Sequence, residues 1–169
     1  CSRRRFSFQG FSTMRKDLPA GPFFSLEPDQ ERARREAERL FARIAHELGA
    51  LLPPAAEIRH VGATAVPGCL TKGDLDIVVR VGAGTFAEAD RVLSERFSRN
   101  EGSKRTDTFS AFEDEGTTPH LGVQLTVAGG PDDYFHLFVE ALRRDFETIA
   151  AGTREAALTP QPGQAGAAA

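Results

Sequence analysis

The chain has little or none of several features that mark large classes of proteins. Of its 169 residues only two are cysteine, one is methionine, one is tyrosine and none is tryptophan. The two cysteines, Cys1 and Cys69, are too few for a disulfide framework, which favours a reducing compartment, and we expect a cytoplasmic protein. No apolar run approaches the roughly 20 residues that span a bilayer, so no membrane partner is expected.

An excess of charge of one sign is lacking as well. The formal net charge is −3 and the isoelectric point is about 5.8, so no general basic field attracts nucleic acid. A small-molecule partner is therefore favoured over a polynucleotide. A hydrophobic content of 40% and a length of 169 residues are typical of one globular domain with a full core.

Composition divides the chain into three parts. Residues 1–26 are basic and aromatic but lack the continuous apolar stretch of a signal peptide, and we interpret them as an N-terminal extension. Residues 27–152 carry the periodic apolar patterns of a folded domain. Residues 153–169 end in a run of Gly, Pro, Gln and Ala, a composition typical of a disordered low-complexity tail.

Helical and strand patterns alternate along the central part. Apolar residues at three- and four-residue steps predict a helix over 28–52, which begins behind Ser25 or Glu27. A second helix is predicted over 85–97, with Thr85 as its N-cap. Strands are predicted over 56–61, 74–81, 106–113 and 119–127, the last two as a hairpin. This mixture predicts an α+β fold.

A last helix is predicted after the break at Gly129, Gly130 and Pro131. Asp132 and Asp133 suit its first turn, because acidic side chains interact favourably with a helix N-terminus. Its apolar stripe is expected to be core rather than a cofactor site; the stripe consists of Phe135, Phe138, Leu142, Phe146 and Ile149.

The stretch over 58–81 combines a short apolar strand, a turn of small residues and a second strand that opens with two aspartates. Asp74 and Asp76 are two residues apart, so on a strand both side chains project from one face. The opposite face is apolar and is expected to join the core; it consists of Leu75, Ile77, Val79 and Val81.

Two ionised carboxylates at this spacing in a partly buried cleft would repel each other by about 2–3 kcal/mol. A divalent metal, a basic neighbour such as Lys72, or water would offset that cost. Mg²⁺ is commonly held by one or two carboxylates together with substrate phosphates. The backbone N–H groups of Gly62, Ala63 and Thr64, just upstream, could receive those phosphates. The residues alone leave two interpretations open: a metal-assisted nucleotide site, or an exposed strand end preceded by ordinary turn residues.

The polar face of the predicted strand 119–127 is the natural neighbour of the two aspartates. His120 and Gln124 lie on it and become second-rank site candidates, with a solvent-facing edge as the alternative. The polar connection over 98–105 carries Arg99, Lys104 and Arg105. These side chains either reach a bound triphosphate or are simply solvated.

Two runs in this region resemble a known family signature: His60-Val-Gly-Ala-Thr-Ala-Val-Pro-Gly68 and Lys72-Gly-Asp-Leu-Asp-Ile77. They are similar to the signature of the GrpB family, which belongs to the nucleotidyltransferase superfamily and shares the catalytic fold of DNA polymerase beta. The superfamily pattern is a Gly-Ser pair, a short gap, and two acids separated by one apolar residue. Here the ten residues over 64–73 separate the pair at 62–63 from the acids.

The resemblance implies a mixed or antiparallel sheet covered by helices, and transfer of a nucleoside monophosphate from an NTP to an unknown small acceptor. It also implies that Asp74 and Asp76 are catalytic and bind Mg²⁺. Nucleotide phosphates would be received by four residues around them: Gly62, Ala63, Thr64 and Lys72.

Two departures from the superfamily pattern favour an alternative. Ala63 stands where the superfamily usually has Ser, so a hydroxyl group is missing. Gln124 stands on the strand that normally carries a third acid, so no group is assigned to deprotonate the acceptor. The alternative is a non-catalytic module that binds a nucleotide or a partner on a degenerate transferase fold.

Overall fold

The structure, a computed structural model, describes residues 26–158, with side chains described over 26–149. The predictions for 1–25 and 159–169, which cover most of the extension and of the tail, lie outside this range. The described elements are α1 (Gln30–Leu51), β1 (Glu57–Val61), β2 (Leu75–Val81), α2 (Phe86–Arg96), β3 (Ser98–Arg99), β4 (Phe109–Asp114), β5 (Leu121–Val127) and α3 (Phe135–Leu158). No helix in this part of the chain is long and apolar enough to cross a membrane.

The five strands form one mixed sheet in the order β1-β2-β5-β4-β3. β2 and β5 are parallel, and each of the other neighbouring pairs is antiparallel. The predicted α+β class is therefore confirmed. β3 is new: it lies within the stretch that sequence patterns indicate as a polar connection, because a strand of two residues has no periodicity to detect.

One face of the sheet carries the main core. The predicted inner residues of β2 are all buried there, and those of β5 join them, between the sheet and the helices α1 and α2. The alternation of β2 is thereby confirmed. The strand residues involved are Leu75, Ile77, Val79, Val81, Leu121, Val123, Leu125 and Val127.

The other face is covered only in part. α3 packs on it through Val139, next to Val61 and Val78, and the rest of the face stays polar. The prediction that the apolar stripe of α3 is core is wrong for two of its members: Phe138 is 65% exposed and Ile149 is 64% exposed. A single helix on one side of a face leaves the outer half of its own apolar surface without a neighbour.

Helix boundaries differ from the predictions by a few residues, as is usual for patterns read without tertiary contacts. α1 is capped by Asp29, whose side chain accepts a hydrogen bond from the N–H of Arg32 at 2.9 Å. Glu27, one of the predicted starts, instead donates its N–H to the carbonyl of Thr71. α3 continues to Leu158, so residues 153–158 are helical.

Candidate active site

The carboxylate of Asp76 lies directly against the turn that follows β1. Gly62 occupies that turn with φ 77° and ψ −173°, a conformation that glycine adopts at little cost. A Cβ atom at Gly62 would lie 2.4 Å from Oδ2 of Asp76, which is closer than any real contact. The small-residue turn and the second aspartate therefore face the same space.

A second glycine borders the same carboxylate on the other side. Gly122 of β5 is the register partner of Asp76, and a Cβ atom there would lie 3.1 Å from Oδ1 of Asp76. Across Gly122, on β4, lies Glu113. The polar face thus presents two carboxylates on either side of a residue that has no side chain.

The electrostatics around Asp76 disfavour its charge. Burial raises the pKa of Asp76, and the nearby carboxylate of Asp74 raises it further, while Lys72 and His120 lower it. Nζ of Lys72 lies 2.5 Å from Oδ2 of Asp74. Lys72 therefore offsets part of the repulsion between the two acids, as the sequence suggested for a basic neighbour.

Thr64 has a structural contact for its hydroxyl. Oγ1 of Thr64 donates to the carbonyl of Asp74 at 2.9 Å and lies 2.9 Å from Nε2 of His60. Burial, and to a lesser extent the charge of Arg143, lowers the pKa of His60 to about 4. Because the Asp74 carbonyl can only accept, neutral His60 must donate its Nε2–H to Thr64. The hydroxyl of Thr64 thus ties β1 to the start of β2 and does not replace the hydroxyl missing at Ala63.

The backbone of the turn retains N–H groups for a ligand. Ala63–Ala65 forms one 3-10 turn, in which the N–H groups of Ala65 and Val66 bind the carbonyls of Gly62 and Ala63. The first N–H groups of a helical turn have no acceptor within the turn. The N–H groups of Ala63 and Thr64 are therefore the ones that could contact a phosphate.

The two second-rank candidates occupy different places. His120 precedes β5 next to the two aspartates; its side chain is 41% exposed, and its Nε2 lies 4.0 Å from Oε2 of Glu113. Gln124 lies on β5, two residues after Gly122, between Val78 and Ala111. Its Oε1 is buried and has no hydrogen-bond partner among the described residues. Of the two, His120 is the exposed one and acts electrostatically on Asp76.

The basic side chains of the 98–105 connection have protein partners. Arg99 and Arg105 both bind the carboxylate of Asp90 on α2. Lys104 pairs with Asp132, and its ammonium group lies over the ring of Phe109. Their role here is to hold the connection, and the expectation that they reach a triphosphate has no support.

Sequence patterns missed three residues of the site: Gly122, Glu113 and Asn100. Asn100 donates its Nδ2–H to Oε2 of Glu113 at 3.2 Å. Alternation along the predicted strand 106–113 was the available signal, since Glu113 follows Phe112 and must point to the other face of the sheet. The pairing of β4 with β5, which brings Glu113 to the site, is not readable from local pattern.

The donor set near Asp76 suits a cation that also contacts phosphate. Within the described part of the chain, no group of three or more His, Cys, Asp or Glu residues is arranged to hold a metal ion. Two carboxylates, Asp74 and Asp76, share the open face, and Gly62 and Gly122 leave room for the carboxylate of the second. This arrangement fits Mg²⁺, which takes one or two carboxylates and completes its shell with phosphate and water.

The mixed five-stranded sheet and its helices form a nucleotidyltransferase-like fold. The chain belongs to the GrpB family: the family model described as GrpB protein matches residues 25–151. A UPF0157 protein of Vibrio cholerae serotype O1 is 30% identical over 113 residues, which cover 66% of this chain and 59% of that protein. The chain thus spans less than two thirds of the length of that relative.

Solved structures agree on the fold. The conserved protein GrpB from Enterococcus faecalis matches with a TM-score of 0.55 at 17% identity, over 68% of this chain and 72% of that one. A cytoplasmic RNA terminal U-transferase matches with a TM-score of 0.50 at 13% identity, over 69% of this chain and 36% of that one. At these identities the similarity concerns the fold alone.

Proposed function

We propose that this protein transfers a nucleoside monophosphate from an NTP to a small acceptor, with release of pyrophosphate. The observation that carries the proposal is the placement of Asp76 between Gly62 and Gly122. A half-buried carboxylate of raised pKa, next to a second carboxylate and to a turn with available N–H groups, is costly without a ligand. Carboxylates with perturbed pKa values are typical of functional sites.

Each residue has a defined task in this proposal. Asp74 and Asp76 would hold Mg²⁺, which when bound neutralises negative charge on the phosphates. Lys72 lies next to Asp74 and would add a positive charge toward the phosphate groups. The N–H groups of Ala63 and Thr64 would donate to phosphate oxygens, and Gly62 would let the carboxylate of Asp76 lie against the same turn.

A second function is supported by two specific residues. Ala63 brings no hydroxyl to the turn, and Gln124 brings an uncharged amide to the strand that faces β2. A domain with these residues could bind an NTP without turning it over and act as a nucleotide-responsive module. The cytoplasmic location that the two cysteines favour stays a prediction for either function.

The experiment that tests the proposal measures both NTP binding and pyrophosphate release. NTP affinity is measured with and without Mg²⁺, and pyrophosphate release is measured with pools of small hydroxyl and amine acceptors and with a short RNA. The transferase proposal expects Mg²⁺-dependent binding and release with a small-acceptor pool, and the loss of both in Asp76→Asn. Asp107→Asn, an exposed aspartate on a distant turn, is the matched control.

Two other results would redirect the assignment. Mg²⁺-dependent NTP binding with no release from any mixture would favour the nucleotide-responsive module. NTP binding that ignores both Mg²⁺ and the Asp76→Asn change would remove the aspartates from the site and with them the transferase proposal.

A further inference from the structure

We propose that His120 is the general base of this site and that Glu113 orients it. The pair would take the place of a third carboxylate, since position 124 carries glutamine. The inference rests on the proposed transfer reaction. It concerns the step that the aspartates and the turn leave unassigned, namely removal of the proton from the acceptor.

The first argument is the position of the pair. Asp76, Gly122 and Glu113 lie side by side on three neighbouring strands, β2, β5 and β4. Because Gly122 has no side chain, the space above it is open between the two carboxylates. An acceptor group could enter there and meet a phosphate held at Asp76.

The second argument is the way in which His120 borders that space. The carbonyl of His120 accepts a hydrogen bond from the N–H of Leu75 at 2.9 Å, which fixes its backbone beside the start of β2. Its ring lies near enough to the carboxylate of Asp76 to act on it electrostatically. At 41% exposure, the ring is reachable from solvent and by an acceptor.

The third argument is that Glu113 is itself held in place. Asn100 donates a hydrogen bond to Oε2 of Glu113, and Nε2 of His120 lies 4.0 Å from the same oxygen. Catalytic hydrogen bonds are often long in the absence of substrate and tighten when it binds. A carboxylate that faces one ring nitrogen favours the proton on that nitrogen, so Nδ1 of His120 is left to accept.

Neither of two other candidates fits this role. The amide of Gln124 is not a base. His60 is part-buried, and its Nε2–H is committed to Thr64. A base has to lie within reach of the acceptor on the open side of the sheet, and among these residues His120 meets that condition.

The proposed step is balanced as follows. The acceptor oxygen forms a bond to the α-phosphorus of the NTP while its proton moves to Nδ1 of His120. The bond from the α-phosphorus to the bridging oxygen breaks, and pyrophosphate leaves with the electron pair. The imidazolium, stabilised by Glu113, then returns the proton to solvent.

Chemical rescue tests the assignment. His120→Ala is expected to lower the rate of pyrophosphate release by roughly 100-fold or more, the usual contribution of a general base, without changing affinity for Mg²⁺ and NTP. Added imidazole should raise the rate of the His120→Ala variant by about tenfold or more, because a free base can enter the vacated space. Glu113→Gln should lower the rate less, and imidazole should not restore it.

Two further variants make the result specific. His120→Gln keeps a polar side chain of similar size but has no basic nitrogen, and should lose as much activity as the alanine variant. His46→Ala removes an exposed histidine on α1 and should change nothing, with or without imidazole. Wild-type rates without imidazole in His120→Gln, or no rescue of His120→Ala, would overturn the role of His120 and leave the transfer reaction standing. Absence of release from the wild type would overturn both.

Discussion

Arg80 and Asp133 form a two-pronged ion pair that joins the end of β2 to the chain just before α3. Nε and Nη2 of Arg80 donate to the two carboxylate oxygens of Asp133 at 2.6 and 2.7 Å. A third donor of the same guanidinium binds Glu57 on β1 at 2.7 Å. The side chain of Arg80 therefore connects β1, β2 and the segment that leads into α3.

This pair predicts how the protein responds to acid. Hydrogen bonding to Arg80 lowers the pKa of Asp133 from 3.8 to about 2. A carboxyl whose pKa is lower in the folded state stabilises the fold above its unfolded pKa and loses that contribution as the pH falls toward its folded pKa. We expect about 2 kcal/mol of the unfolding free energy to disappear between about pH 4 and pH 2.

The measurement is urea unfolding across that range for the wild type and Asp133→Asn. The variant should be less stable at neutral pH, because Arg80 loses its main partner, and should lack this part of the acid dependence. Equal slopes of stability against pH in the two proteins would contradict the role given to the pair.

The side chain of His60 predicts that stability also depends on pH in a second, separate range. Its pKa is lowered from 6.5 to about 4, chiefly by burial. The unfolded chain therefore binds a proton at a higher pH than the folded protein does, and stability falls as the pH decreases from about 6.5 to about 4. The shift corresponds to about 3 kcal/mol.

His60→Gln should flatten the stability curve over this window, since glutamine does not titrate. Its amide can still donate to Thr64, so much of the neutral-pH stability should remain. His46→Gln, on the exposed side of α1, serves as the control. A wild-type curve without a slope in this window would show that His60 is not held neutral by the fold.

Gly62→Ala tests the close approach of the turn to Asp76. The added Cβ would meet Oδ2 at 2.4 Å, and φ 77° is unfavourable for alanine. We expect a loss of about 1–3 kcal/mol in stability from strain and displacement, and at least about tenfold weaker Mg²⁺-dependent NTP binding. Titration of a fluorescent NTP analogue measures the second effect.

Gly49→Ala provides the comparison within the same chain. A Cβ atom at Gly49 would meet nothing within 4 Å, and alanine is favoured over glycine inside a helix by up to about 1 kcal/mol. Gly49→Ala should therefore be neutral or stabilising and should bind NTP as the wild type does. Unchanged NTP binding in Gly62→Ala would separate the turn from the site.

Asp76→Asn should stabilise the protein while removing its ligand response. Because burial and Asp74 raise the pKa of Asp76, its ionised form at neutral pH carries a cost that asparagine does not. The thermal midpoint in the absence of Mg²⁺ is expected to rise by a few degrees. A midpoint that increases with Mg²⁺ and NTP in the wild type should not do so in the variant.

Such an exchange of stability against binding is the signature of a functional carboxylate. A lower midpoint in Asp76→Asn without ligand would indicate that Asp76 stabilises the fold through its charge. That result would count against a site at this position.

Several elements of the fold could be predicted because their signal is local. The alternation of β2 and the three- and four-residue steps of α1 depend only on neighbouring residues, so both were confirmed to within a few residues. The stripe of α3 has an equally clear period, yet Phe138 and Ile149 are exposed. Period shows which residues share a helix face, but not how much of that face meets a neighbour.

The chain's own order of residues determined that two acids open an apolar strand and that a turn of small residues precedes them, because strand geometry alone places alternate side chains on one face. Tertiary structure alone decided what surrounds Asp76. Gly122 reaches it by pairing with Asp76, 46 positions away along the chain, and Glu113 reaches it by pairing in turn with Gly122. Both registers depend on contacts that no local pattern shows. The same contacts turned Thr64 toward His60 and away from the turn's open side.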